Sequence, residues 1–292
     1  VNASISKKSI TGSKELAGAT LKVVKINNDG TETLIDKWES NGKTHMVYGL
    51  ADGTYKLIEE TAPKGYVVAE EVTFKVVKGA IVNQPGNSLT MLDKPTDVTI
   101  TKTDITGSKE LDGAHLQLFD SAGTLVEEWD SDSTQPHQIV AKLAAGATYR
   151  LVETQAPAGY TIAEEITFTV NTDGTPQVVK MKDDVSRIYI SKKAIAGKDE
   201  LEGATLKIVK GTDENGPLAV QPWVSQKTPK LIEQLPDGVY TLVEITAPQG
   251  FAVAESITFT IKDGKVVGTK DDTITMYDAY EGDVVISKKS IS

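Results

Sequence analysis

An all-β chain of three tandem domains is predicted by three observations. One pattern recurs three times in 292 residues, apolar and polar residues alternate through it in period two, and Thr, Val and Ile abound without helical periodicity. At roughly 100 to 150 residues per domain the chain is too long for one small β unit. A hydrophobic content of 39% suffices for several separate cores.

The string ELAGA at 15–19 returns as ELDGA at 110–114 and ELEGA at 200–204. Each copy follows a strand-like segment that reaches lysine: ISKK at 5–8, ITKT at 100–103 and ISKK at 190–193, with a further ISKK at 286–289. YKLIE (55–59), YRLVE (149–153) and YTLVE (240–244) come next. Pro and Gly then punctuate a turn in TAPKGY, QAPAGY and TAPQGF. VTFKV (72–76), ITFTV (166–170) and ITFTI (257–261) alternate as half-buried strands do, and LTMLD, VKMKD and ITMYD close the copies at Asp93, Asp183 and Asp278.

Lys7, Lys102, Lys192 and Lys288 are spaced by 95, 90 and 96 positions. The period is a whole domain, so the copies are beads with their own cores and not a solenoid sharing one. The expected domains are 1–94, 95–184 and 185–281, with 282–292 (GDVVISKKSIS) repeating the first strand as the beginning of a truncated fourth repeat. Closing and opening strands nearly abut, so short linkers should limit bending and favour an elongated array.

A formal net charge of -10 repels phosphate backbones and anionic lipid, which excludes the electrostatic footprint of a nucleic-acid binder. No run of eighteen apolar residues and no basic-plus-apolar leader is present, so no membrane partner is expected, and any addressing or anchoring segment lies outside these residues. With no cysteine there are no disulfides or thiolate metal sites. No cofactor or metal is expected.

Strand residues two apart share a face. Ile5 therefore shares a face with Lys7, Val98 and Ile100 with Lys102, and Ile188 and Ile190 with Lys192. The same count aligns Glu59 with Tyr55 and Leu57, Glu153 with Tyr149 and Leu151, and Glu244 with Tyr240 and Leu242. In the closing strands Leu89 and Met91 align with Asp93, Val179 and Met181 with Asp183, and Ile274 and Met276 with Asp278. Lysine, glutamate and aspartate thus face every core, at Lys-to-Glu separations of 52, 51 and 52 and Glu-to-Asp separations of 34, 30 and 34.

Isolated buried charges cost several kcal/mol each, so these groups must meet one another. Face and spacing leave two outcomes open. One is a hydrogen-bonded ion network; the other is condensation of the lysine amine with the aspartate carboxyl. Burial favours a neutral, nucleophilic amine and a protonated, electrophilic carboxyl, and the glutamate between them is placed to shuttle protons. An amide would remove two buried charges and one water.

Other signals carry less. Trp38, Trp129 and Trp223 occupy matching sites (KWES, EWDS, PWVS) and are read as packing or edge-covering residues. Asp130, Asp132 and Ser133 are read as turn formers, since the loop lacks the glycine and distal glutamate of a calcium loop. His45, His115 and His137 show no metal spacing. Glu70, Glu71, Glu164, Glu165 and Glu255 are read as solvated charge and not as paired hydrolytic carboxylates. Lys8, Lys193 and Lys289 point opposite to the inward lysines.

The succession of a lysine strand, E-L-x-G-A, Y-x-L-x-E with A-P-x-G-Y/F, and a last strand ending in Asp resembles the collagen-adhesin B-type, prealbumin-like repeat family over practically the whole chain. The resemblance implies Ig-like β-sandwiches of reverse or transthyretin-like topology, as found in stalks and pilins of Gram-positive surface proteins. It also implies an intramolecular isopeptide bond, with Lys7, Lys102 and Lys192 as bond-forming lysines, Asp93, Asp183 and Asp278 as acceptors, and Glu59, Glu153 and Glu244 as catalytic glutamates. The function expected is a structural stalk of a cell-wall-anchored, extracellular adhesin, not an enzyme with turnover. Its expected partners are the adjacent repeats of a monomeric chain, with any host extracellular-matrix ligand held by a distal domain. The alternatives are a module that itself binds a host matrix protein, or a pilin subunit. No pilin-type lysine motif or LPXTG-like sorting signal occurs here, which ranks the stalk above the shaft pilin.

Overall fold

The computed structural model describes residues 1–282. The residues read as a fourth opening strand, Gly282 apart, lie outside them. As expected, the chain is all-β: beyond one short 3-10 turn at Pro85–Asn87, the regular structure of the described residues is entirely strand.

Each repeat folds as two sheets around its own core. In the first, the opening strand Ala3–Ser9 lies between His45–Val47, antiparallel, and the closing strand Ser88–Pro95, parallel. The second sheet runs in the order Glu32–Asn41, Ala17–Ile26, Gly53–Thr61, Val72–Val77, Ala80–Ile81. The middle repeat pairs Asp97–Asp104 with His137–Val140 and Gln177–Asp183, opposite a sheet ordered Leu125–Asp130, His115–Asp120, Thr148–Gln155, Ile166–Thr169. In the third, Arg187–Ala194 lies between Lys230–Glu233 and Thr273–Asp278. Its facing sheet is ordered Leu218–Val224, Thr205–Lys210, Gly238–Thr246, Ile257–Lys262, Lys265–Val266.

Period-two alternation explains the layering. Along Gly53–Thr61, Tyr55, Leu57 and Glu59 are buried while Lys56 and Ile58 are partly exposed. Tyr55, Leu57, Leu21, Val23, Ile5, Leu89 and Met91 form one cluster drawn from both sheets, and the other repeats build the same cluster from equivalent residues. The tyrosine of each Y-x-L-x-E packs against the phenylalanine of the neighbouring strand, with ring centroids 5.4, 6.1 and 5.7 Å apart. Its hydroxyl is also satisfied. Tyr55 and Tyr240 donate to the carbonyls of Ala51 and Pro236, both at 2.8 Å, and Tyr149 accepts from Ala144 N–H at 2.9 Å.

The parallel register between first and last strands positions the site. Lys7 lies opposite Met91 and Ser9 opposite Asp93; Lys102 lies opposite Met181 and Asp104 opposite Asp183; Lys192 lies opposite Met276 and Ala194 opposite Asp278. In every repeat, lysine and aspartate are diagonal neighbours on one inward face. Replacing fully buried Leu57 by alanine should destabilise the first repeat by about 2 to 5 kcal/mol. Lys56→Ala, on the opposite face of that strand, should change stability by less than about 1 kcal/mol. Denaturant-dependent hydrogen exchange of first-repeat amides measures both.

Candidate functional site

The structure brings together all nine residues singled out, as three separate triads. None is more than 5% exposed. In the first repeat Lys7 Nζ is in direct contact with Asp93 Oδ1 and lies 2.9 Å from Glu59 Oε1. Lys102 Nζ contacts Asp183 Oδ1 and is 3.0 Å from Glu153 Oε1; Lys192 Nζ contacts Asp278 Oδ1 and is 3.2 Å from Glu244 Oε1. The lysine and aspartate come from adjacent parallel strands, and the glutamate reaches them from the facing sheet.

The other glutamate oxygen is fixed by the backbone. Glu59, Glu153 and Glu244 accept through Oε2 from the N–H of Ala69, Ala163 and Ala254 at 2.6, 2.6 and 2.7 Å. The second aspartate oxygen, Oδ2 of Asp93, Asp183 and Asp278, is buried without a hydrogen-bond partner. A buried carboxylate with one oxygen unserved is costly to keep ionised.

Protonation follows from that burial. Asp93 is pushed up to about 7 chiefly by its removal from water, against the opposing pull of the Lys7 ammonium. Burial likewise pushes Glu153 up to about 7, and raises Asp183 and Glu244. A lysine, a poised acid and a dry wall are therefore present at one point in each core.

Alternation found the triads but missed the residues that hold the lysine in place. The glutamate of each E-L-x-G-A accepts the lysine's own backbone N–H: Glu15 from Lys7 at 2.8 Å, Glu110 from Lys102 and Glu200 from Lys192 at 2.9 Å. The next residue closes the other side, with Leu16, Leu111 and Leu201 N–H donating to those lysines' carbonyls at 2.7, 2.7 and 2.6 Å. The W-x-S serines are similarly explained, since Ser40, Ser131 and Ser225 accept through Oγ from Ala19, Ala114 and Ala204 N–H at 2.9 Å. Recurrence of these strings was the available signal.

The remaining residues take structural places. Trp38 stacks on His45 and Trp129 on His137, each at 4.1 Å, and those histidines pair with Asp36 and Glu127 at 2.8 and 3.0 Å. His115 pairs with Asp130 at 2.7 Å, and Asp132 caps a turn by accepting from Thr134. Glu71 and Glu165 sit exposed beside Lys56 and Arg150 at 3.1 and 2.8 Å. Lys8 and Lys193 are partly exposed and lie 3.7 and 3.8 Å from Glu15 and Glu200. Lys289 falls outside the described residues.

Residues 1–87, 96–185 and 186–273 each match the family model described as the SpaA prealbumin-like fold domain. The chain belongs to this family. Over 77 residues it is 43% identical to the pilus tip adhesin Cpa of Streptococcus pyogenes, a match spanning 25% of this chain and 11% of that protein. Among solved structures it is similar to the Bacillus anthracis TIE protein, at 23% identity and TM-score 0.47 over 95% of this chain and 51% of that one. It is also similar to the Streptococcal ancillary pilin, at 16% identity and TM-score 0.40 over 96% and 99% of the two chains.

Two outcomes follow for these prealbumin-like domains. A Lys7→Met variant removes the ammonium that opposes the rise of Asp93, so the folded domain should keep that proton past pH 7 while the unfolded chain loses it near 3.8. The folded state then binds more protons across this window, and stability should fall as pH rises from about 4 through about 7. Urea unfolding of the first repeat at pH 5 and pH 8 measures the fall. Glu110→Ala should cost about 1 to 3 kcal/mol by stranding the Lys102 N–H, with Glu110→Gln recovering most of it, as read from thermal unfolding of both variants.

Proposed function

We propose that the three domains are a structural segment of a surface-displayed pilus or adhesin protein, and that each is closed by an amide between its triad lysine and aspartate. The observation that carries this reading is the contact of amine and carboxyl in a buried core, repeated three times, beside an aspartate oxygen with no partner.

The chemistry needs nothing beyond the three side chains. A proton passes from the lysine ammonium to the aspartate carboxylate, with the glutamate carboxyl as carrier. The neutral amine attacks Cγ of the aspartic acid. A C–N bond forms, one C–O bond breaks, and hydroxide leaves with a proton from nitrogen as water. The glutamate returns to its starting state. Rigid placement by the sandwich supplies the effective concentration, and the loss of two buried charges and of the unpartnered oxygen drives the step. Each domain reacts once, on itself, so this is not an enzyme with turnover.

The consequence is mechanical. The lysine sits on the first strand and the aspartate on the last, 86, 81 and 86 positions apart. A crosslink closing so long a loop stabilises by about 4 to 5 kcal/mol on the chain-entropy account of disulfides. It also keeps the terminal strands from being pulled apart, which suits a rod that holds something away from a cell surface.

Intact-mass spectrometry tests the reading. The expected mass is three waters below the sequence mass; Lys7→Ala or Glu59→Ala should each restore one water, and Lys8→Ala none. A mass equal to that of the sequence overturns the amide.

A further inference from the structure

The turns that join A-P-x-G to the following aromatic lie outside the triads, yet their glycines meet backbone of the next repeat. Gly65 has φ +89°, and a Cβ there would collide with the carbonyl of Ala141. Gly159 has φ +85°, and its Cβ would stand 2.8 Å from the carbonyl oxygen of Gln234. Ala141 and Gln234 are themselves in the left-handed region, at φ 53° and 58°, so both junctions are shaped from both sides.

One residue joins the two surfaces each time. Thr96 N–H donates to Gly65 O at 2.9 Å, its hydroxyl donates to Leu143 O at 2.8 Å, and its carbonyl accepts from Ala141 N–H at 2.9 Å. Ser186 repeats the set, with N–H to Gly159 O at 2.9 Å, hydroxyl to Leu235 O at 3.1 Å, and carbonyl from Gln234 N–H at 3.0 Å. Thr96 is 2% and Ser186 1% exposed. A second contact reinforces the first: a Cβ on Gly174 would lie 2.9 Å from Lys94, and one on Gly264 would lie 2.6 Å from Tyr160 O. The third repeat begins the pattern again, since Glu281 N–H donates to Gly250 O at 2.8 Å.

We propose that the A-P-x-G turn of each repeat is a docking surface for the repeat that follows, and that its glycine, with the buried Thr96 or Ser186, fixes the orientation of consecutive repeats. The contact is head-to-tail and so adds repeats in series without closing. Swinging one repeat away from its neighbour would break the buried bonds that Gly65 O accepts from Thr96, or that Gly159 O accepts from Ser186, and open the close glycine contacts, which a short linker alone would not require. This surface goes beyond the amide reading and does not depend on it.

The chain has no native cysteine, so spin labels can be placed at Asn28 and Ser121 for the first junction and at Ser121 and Lys227 for the second. Pulsed dipolar distance measurements on the full chain should give narrow distributions. Gly65→Ala should broaden the first at least twofold and Gly159→Ala the second. Gly250→Ala carries the same left-handed strain, at φ +85°, with no atom of the described residues within 4 Å of its Cβ, and should leave both widths unchanged. Thr96→Val and Ser186→Ala remove the hydroxyls without straining a turn and should broaden their own junctions, which keeps the test decisive if a glycine variant misfolds. Broad distributions in the parent, or junction variants no broader than Gly250→Ala, overturn the proposal. Intact mass of the same samples reads the amide separately.

Discussion

Everything in each domain is arranged around a lysine ammonium brought into an apolar core against an aspartate and a glutamate. Such a charge is tolerable only if its partners arrive within contact distance and water stays out. The parallel pairing of first and last strands sets the lysine and aspartate as diagonal neighbours, and the central strand of the facing sheet supplies the glutamate. Surrounding groups then remove the remaining freedom: a carboxylate and an amide N–H hold the lysine's peptide unit on both sides, and a second N–H holds the glutamate. The most repeated strings of the sequence are those that perform this anchoring.

Much of the site was legible because β-strands impose a strict two-residue period. Ile5 with Lys7, Leu57 with Glu59 and Met91 with Asp93 could be placed on inward faces by counting alone, and resemblance supplied the sandwich. What counting could not reach is tertiary. Nothing local says that Ala3–Ser9 pairs parallel with Ser88–Pro95, because that register is set by the packed core. Glu15 lies before its strand, in a segment with no period, so its bond to the Lys7 N–H had no signature beyond recurrence. Strands such as Tyr66–Val67 and Lys265–Val266 have two residues and carry no alternation to detect. The Trp38–His45 stack joins separate strands whose neighbourhood the sequence leaves open.

The third repeat shows which features the fold requires and which it only uses. Where the first two place histidine beneath tryptophan, the third has Lys230 at the same register position, paired with Ile190 as His45 is with Ile5. The sandwich forms in the same way, so the stack is dispensable to the architecture. The triad, the E-L-x-G-A glutamate and the W-x-S serine recur in all three. Groups that serve a buried charge or a buried backbone donor are retained across copies of this chain, while a half-exposed contact is exchanged.

The two levels of organisation meet in the path that tension would take. With an amide between Lys7 and Asp93, the residues between them are bypassed, and force entering the first strand leaves directly through the last. The same holds for Lys102 with Asp183 and Lys192 with Asp278. Between crosslinks the chain under tension is then reduced to Asp93–Lys102 and Asp183–Lys192, nine positions each. Those segments contain Thr96 and Ser186, whose peptide and hydroxyl groups are all engaged, one side by the repeat before and the other by the repeat after. Where the proposed covalent closure ends, the buried junction begins, so with both in place stiffness would pass along the chain without a free stretch between one repeat and the next.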